Sequence, residues 1–416
     1  MTSKIAIVGA GPSGCFMAQS LGKACPDVEI TIIEKLPVPY GLVRYGVAPD
    51  HQGTKAVIRQ FARLFEKQGV NFAGNVNVGA GDAADLSLAE LRDIFDVVVL
   101  ATGLSEDRRL GLAGEQTGGV YGSGAVTRFW NDHPSDQALA PEFGNQVVVV
   151  GNGNVALDVV RLLAKGADDF NGSDFDSARV VTSVTDIHIV GRSPAHKAKF
   201  DAVMVKELAK IGSLDVRLDA PLCDIQEDKR LQALQDTVAA AAPNTAKTVL
   251  TFHFGWVPEA LDIAHNCVRS ITFRSQDGAM KTLPCDSVVT AIGFDDSRRE
   301  FVGDGDGDGD GVIERGLYCA GWFKRGPRGT IPENRHDTQK VAQRIATDIA
   351  DGIAKGHAKP GIAALKDRFG ESIVTYDDWL AIDCTEINAA AVGRCRGKLK
   401  TVDDMLKAVQ KRRNAE

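Results

Sequence analysis

The sequence predicts an α/β protein built from two parallel-stranded domains, and three observations carry that prediction. The chain opens on an apolar run, Ile5-Ala6-Ile7-Val8, that ends in Gly9-Ala10-Gly11-Pro12-Ser13-Gly14. The same theme returns roughly 140 residues later as Gln146-Val147-Val148-Val149-Val150-Gly151-Asn152-Gly153-Asn154-Val155-Ala156. Two further largely apolar runs, Phe95–Gly103 and Ser287–Gly293, also end in small residues. Runs without polar alternation describe strands buried on both faces, which is the habit of a parallel sheet covered by helices. The fold class expected is therefore a pair of Rossmann-like, three-layer dinucleotide-binding domains.

Each turn has its own chemistry. Gly9, Gly11 and Gly14 allow a tight bend that brings backbone N–H groups and a helix N-terminus against a pyrophosphate, with Ser13 beside them. Residues 15–24 can form that helix and Val28–Ile33 the next strand, leaving Glu34 at the strand end where a ribose hydroxyl is held. In the second unit Gly151 and Gly153 repeat the pattern, Asn154 and Val155 open the helix, and Ala156 stands in the third-glycine position. The strand that follows, Asp186–Gly191, ends in Arg192-Ser193, with His196, Lys197 and Lys199 close behind. Arginine and lysine neutralise a 2′-phosphate where an acid would take a hydroxyl, so this site favours NADP(H) over NAD(H). The helical pattern over 195–210 carries Glu207 to where it could face a nicotinamide.

Composition bounds the rest. At 416 residues the chain holds two or three domains. Its 44% hydrophobic and 25% charged residues and mean hydropathy of −0.10 are those of a globular protein. A net charge of −7 opposes a nucleic-acid surface as the main business of the chain. The first strand begins at Lys4, with no room for a leader, and no apolar run approaches the ~20 residues of a membrane span, so a cytoplasmic protein is expected. The eight cysteines are scattered without a CxxC pair, which predicts buried thiols and no zinc, cluster or dithiol site.

The remaining segments follow in order. Three prolines and two glycines in Lys35–His51 predict a fixed, extended loop against a ligand. Residues 54–68 read as an amphipathic helix with Val57, Ile58, Phe61, Leu64 and Phe65 inward, and Arg59 and Arg63 on a solvated or partner-docking face. A strand over 70–72, a hairpin over 74–79 and a polar connector over 104–145 are expected. Strands at 249–254 and 270–273 follow, and the run 287–293 reads as the return to the first domain. The alternating Gly-Asp run 303–311 resembles the start of a calcium loop, but its twelfth position counted from Asp304 is Arg315, so an acidic surface loop is the better reading. Gly316–Pro332 then delivers Trp322 and a glycine-rich helix entry, with the N–H groups of Gly329, Thr330 and Ile331 beside a flat ligand.

The set GAGPSG, EKLPVPYGLVRYGVAPDH, GNVNVG, GNGNVALD, KEL and GLYCAGWFKRGPRG resembles the adrenodoxin reductase family of ferredoxin–NADP reductases over nearly the whole chain. That resemblance implies non-covalent FAD in a discontinuous domain of residues 1–104 and 287–416, and NADP(H) in an inserted domain of residues 105–286. It implies FAD contacts from Ser13, Glu34, Leu42, Val78, Trp322 and residues 329–331, and NADP contacts from Arg108, Asn154, Val155 and Arg192. His51 and Glu207 match the polar residues that flank flavin and nicotinamide. The implied activity is hydride transfer from NADPH to FAD, then single electrons to a ferredoxin-type iron–sulfur protein. The sequence departs from the family at Ser193, where a second arginine is usual, at Met204, where a glutamate is frequent, and between 220 and 250, where no basic docking segment is recognisable. A disulfide reductase, an electron-entry subunit with cluster cysteines, a diaphorase with another acceptor and a non-catalytic nucleotide-responsive flavoprotein are the alternatives. The spacing of Cys15 and Cys25 opposes the first, and the absence of cluster cysteines the second.

Overall fold

A computed structural model describes residues 2–222, 228–240, 246–295, 310–327, 329, 331–352 and 359–415. The chain divides into two compact units, Met1–Ser105 with Asp296–Glu416, and Glu106–Asp295. The first unit begins with β1 (Lys4–Val8), β2 (Glu29–Glu34), β3 (Asn71–Gly74), the short β4 (Val78–Gly79) and β5 (Leu86–Ser87), and β6 (Val97–Leu100). The second holds β7 (Val120–Gly122), β8 (Gln146–Val150), β9 (Asp186–Gly191), β10 (Leu214–Leu218), β11 (Thr248–Phe254), β12 (Trp256–Ala264), β13 (Cys267–Ser275), β14 (Met280–Pro284) and β15 (Ser287–Thr290). The chain then returns to the first unit with β16 (Val312–Glu314) and β17 (Leu317–Cys319).

In the first unit the sheet order is β16-β17-β6-β1-β2-β3, parallel throughout except for β16 against β17. Successive residues of β1 serve opposite layers, as the period of a strand requires. Ile5 and Ile7 pack with Phe16 and Leu21 of helix Pro12–Ala24, Phe61 and Leu64 of helix Ile58–Lys67, and Val341 and Ile345 of helix Ile331–Ala350. Ala6 and Val8 face Leu91, Phe95 and Leu365 on the other side. Three layers result, and the continuous apolar runs are their middle.

The second unit has a sheet of order β10-β11-β9-β8-β15-β7, all parallel, with the antiparallel β12-β13-β14 packed on it through Val268, Ile271, Phe273 and Leu283. Here β15 corrects the sequence reading. It pairs with β8 and β7 in the second sheet, not with the first domain, because Val288 and Val289 lie in register with Val148 and Val149 and are fully buried. The second unit therefore extends to Asp295.

Other expectations are also revised. The connector 104–145 contains β7 and the helix Ser123–Trp130, whose first N–H groups are taken up by Asp107: Gly124 donates at 2.7 Å and Ala125 at 2.9 Å. The region 74–79 is no hairpin, since β4 pairs in parallel with β5. The segment 35–51 includes a one-turn helix, Gly41–Tyr45, opened by left-handed φ angles of 82° at Tyr40 and 42° at Gly41. The helical pattern over 195–210 breaks into a 3-10 turn, Ala195–Lys197, and the helix Ala202–Leu208. The Gly-Asp run lies, up to residue 309, outside the described residues. Among the described residues no helix is long and apolar enough to cross a membrane.

One polar cluster joins the two sheets of the second unit. His253 is 4% exposed, its Nε2 stands 3.0 Å from His188 Nδ1, and its Nδ1 lies 3.3 Å from Asp219, which also pairs with Lys281 of β14. Burial pushes His253 down to about 4 against the pull of Asp219, so the unfolded chain takes up this proton first as pH falls. Stability from the neutral ring is whole above about pH 6.5 and is lost towards pH 4, on the order of 2 kcal/mol by pH 5. Thermal unfolding at pH 7.5 and pH 5 should show this loss, and His253→Phe should flatten it; an unaltered pH slope in the variant would rule the cluster out as its source.

Candidate nucleotide-binding sites

The first turn is held by backbone, not by side chains. Gly9 has φ 105°, and a Cβ there would lie 2.6 Å from the Ala101 carbonyl oxygen at the end of β6; a Cβ on Gly14 would lie 1.9 Å from that of Gly9. Gly11 is the opposite case, because a Cβ built on it meets no protein atom within 4 Å. The turn thus has two glycines required by the protein's own packing and one that leaves a space beside the N-terminus of helix Pro12–Ala24. No side chain caps that helix, so its first N–H groups are available to an anion.

Glu34 braces this turn. It accepts N–H bonds from Ala10 at 2.9 Å and Leu36 at 3.2 Å, while burial pushes its carboxyl up from the ordinary range. Tyr40 N–H donates to Ala10 O at 2.9 Å, and Gly41 approaches Gly11 so closely that a Cβ would stand 3.0 Å from its Cα, which sets Leu42 beside the turn. From the far end of the chain, Ser13 Oγ bonds Asn334 at 3.2 Å, and Gly321 has no room for a Cβ against Ser13. Gly321 N–H donates to Asp337 at 2.8 Å, which places half-buried Trp322 next to the same turn. The sequence does not single out Asn334 or Asp337, since a polar residue in a helix carries no local signal of its partner, which lies 321 positions away for Asn334 and 16 for Asp337. Gly329, exposed with φ 89°, precedes the helix that starts at Ile331; Thr330 lies outside the described residues. His51 is half-buried before the helical turn Gln52–Lys55, and Val78 is buried in β4. Cys15 is fully buried, and burial, with Glu34 nearby, pushes its thiol far up, which makes it inert.

The second turn repeats this division of labour. Gly151 has φ 121° and its Cβ would stand 2.2 Å from the Ala291 carbonyl oxygen, whereas a Cβ on Gly153 meets nothing within 4 Å. Ala156 is fully buried, while Val155 is 38% exposed at the start of helix Asn154–Ala164. Arg192 is exposed at the end of β9, and the carbonyl of Ser193 accepts from Gly255 N–H at 3.1 Å. Arg108 is fixed by its N–H to Gly293 O at 2.9 Å and its guanidinium to Phe294 O at 3.3 Å. Glu207 lies 3.5 Å from Arg161, a buried guanidinium that also binds Asp158 at 2.6 Å. The Asn152 amide nitrogen is buried in the turn with no protein partner among the described residues, the condition of a donor that faces a bound group or water.

Comparison with known proteins settles the family. Cindoxin reductase of Citrobacter braakii is 46% identical over 417 residues, spanning 97% of this chain and 90% of that protein. The mitochondrial NADPH:adrenodoxin oxidoreductase of Drosophila melanogaster is 33% identical, over 98% and 93% of the two chains. This chain belongs to the adrenodoxin reductase-like family of ferredoxin–NADP reductases. Residues 3–307 of this family member also match the wider pyridine nucleotide-disulphide oxidoreductase family. Among solved structures, Mycobacterium tuberculosis FprA in complex with NADPH superimposes with a TM-score of 0.88 at 28% identity, over 99% of the reductase-family chain and 100% of FprA.

Proposed function

We propose that this chain is a FAD-containing NADPH:ferredoxin oxidoreductase. The observation that carries the reading is the doubled glycine turn, each copy open at its second glycine, with an acid ending β2 in one and an arginine ending β9 in the other. Kinship supports it, since relatives carry the names cindoxin reductase and NADPH:adrenodoxin oxidoreductase and FprA is solved with NADPH. The first turn fits FAD: the space at Gly11 and the open helix terminus take its pyrophosphate, Glu34 its ribose, and Leu42, Trp322 and the N–H groups of Gly329 and Ile331 its remaining length. The second fits NADP(H), with Gly153, Asn154 and Val155 under the pyrophosphate and Arg192 and Arg108 as cations. When bound, FAD and NADPH would supply hydride transfer to the flavin and the onward release of single electrons. The protein contributes position; His51 and Glu207 orient the reacting rings or hold a proton at Nε2 and the carboxylate. The acceptor is a ferredoxin-type iron–sulfur protein.

We also assign the chain to the cytoplasm, where the free cysteines among the described residues stay reduced; recovery from an oxidising compartment would end that placement. The deciding experiment is steady-state reduction of ferredoxins with NADPH and NADH as donors. NADPH should be preferred, and Arg192→Ala should remove the preference by raising the NADPH KM about tenfold while NADH is unaffected. A purified protein that binds flavin yet reduces no ferredoxin with either donor would refute the reading.

A further inference from the structure

Lys199 stands beside the second glycine of the second turn. Its backbone forms a parallel bridge with Gly153, and bridged residues on adjacent extended segments project their side chains to the same face. The direction of that face is defined by Gly153, where a Cβ meets no protein atom within 4 Å. It is also the direction along which a pyrophosphate approaches such a turn. Ala198 and Phe200 are buried at 2% and 1%, whereas Lys199 is exposed, the alternation expected of an extended segment.

A clasp holds this segment to the turn. Asp201 precedes helix Ala202–Leu208 at the position where an acid ordinarily caps its own helix, but its side chain makes no such bond. Instead Asn154 Nδ2 donates to Asp201 Oδ2 at 2.6 Å, and Asp201 N–H donates to Asn154 Oδ1 at 2.8 Å. Asn154 is the first residue of the helix after Gly153, so the segment carrying Lys199 is tied to the turn at two adjacent points. Arg230 steadies it further, donating to the carbonyls of His196 at 3.1 Å and of Ala198.

We propose that Lys199 is the cation that binds the pyrophosphate of the nicotinamide dinucleotide, held in place by the Asn154–Asp201 clasp, while Arg192 meets the 2′-phosphate. The proposal rests on the reading of this unit as an NADP(H) site. It separates two tasks: Lys199 acts on every dinucleotide, and Arg192 distinguishes between them.

The test is calorimetric titration of the flavin-loaded protein with NADP+, NAD+, ADP and 2′-AMP. Lys199→Gln should weaken NADP+, NAD+ and ADP about tenfold each and shift 2′-AMP by less than about twofold. Lys199→Arg should restore most of the affinity, and Arg192→Gln should weaken only NADP+ and 2′-AMP. Unchanged ADP binding in Lys199→Gln, or a loss confined to NADP+ and 2′-AMP, would overturn the assignment. Wild-type protein that binds neither dinucleotide would instead overturn the underlying reading of the site.

Discussion

Gly11→Ala is expected to yield a folded protein without its flavin. The added methyl meets no protein atom within 4 Å, and Gly11 has an ordinary φ of −72°, so the fold loses almost nothing. The same methyl fills the space through which a pyrophosphate reaches the first turn, and FAD affinity should fall by about a hundredfold, near 3 kcal/mol. Gly14→Ala tests the other half of the argument. Its methyl would stand 1.9 Å from the Gly9 carbonyl oxygen, a contact that only a backbone shift can relieve, at a cost of about 3 kcal/mol or more in stability. Flavin-to-protein absorbance ratios and thermal unfolding of the two variants separate the effects. A Gly11→Ala protein that purifies fully yellow would show that the first turn does not cradle the cofactor.

Removing the Glu386 carboxylate should cost the first unit about 3–5 kcal/mol, the toll of stranding a buried charge. Arg44 and Glu386 are 3% and 0% exposed and meet at 2.5 Å. Leu399 N–H adds a bond to the carboxylate at 3.0 Å, and Arg44 lies 5.0 Å from the rings of Tyr45 and Trp379. Burial alone would raise the Glu386 carboxyl, but the Arg44 guanidinium and the Leu399 N–H hold it below the usual carboxylate range. A depressed folded-state value stabilises above the unfolded value of about 4.3 and is lost as pH falls through the folded one. Acid unfolding of wild type should steepen there, and Glu386→Ala should lack that limb. The effect reaches the nucleotide site because Arg44 belongs to the one-turn helix that seats Gly41 against Gly11. The variant should therefore also release FAD more readily at temperatures where it remains folded. A Glu386→Ala midpoint equal to wild type in urea would contradict the assignment.

The strands that carry the two glycine turns, β1 and β8, the next strands β2 and β9, both turns and their first helices are legible in the sequence, as are the acid ending β2 and the basic residue after β9, whereas β7, β10, β12 and β14 are not. The short helix at 41–45 was not, because its start depends on Tyr40 in a left-handed conformation stabilised by the Ala10 carbonyl. The placement of β15 was missed for a related reason: an apolar run declares that it is buried, not which sheet buries it, and register with Val148 and Val149 decided the matter. Asn334 on Ser13, Asp201 on Asn154 and Glu386 on Arg44 join residues 321, 47 and 342 positions apart.

The amino-acid order by itself determined the two nucleotide turns and their opposite charge, because strand burial, glycine conformation and helix entry are fixed within about thirty consecutive residues in the first unit and about fifty in the second. Tertiary structure alone decided which polar side chains support those turns and which sheet each later strand joins. Such partners lie far apart along the chain, and only the closed packing brings them within hydrogen-bond reach.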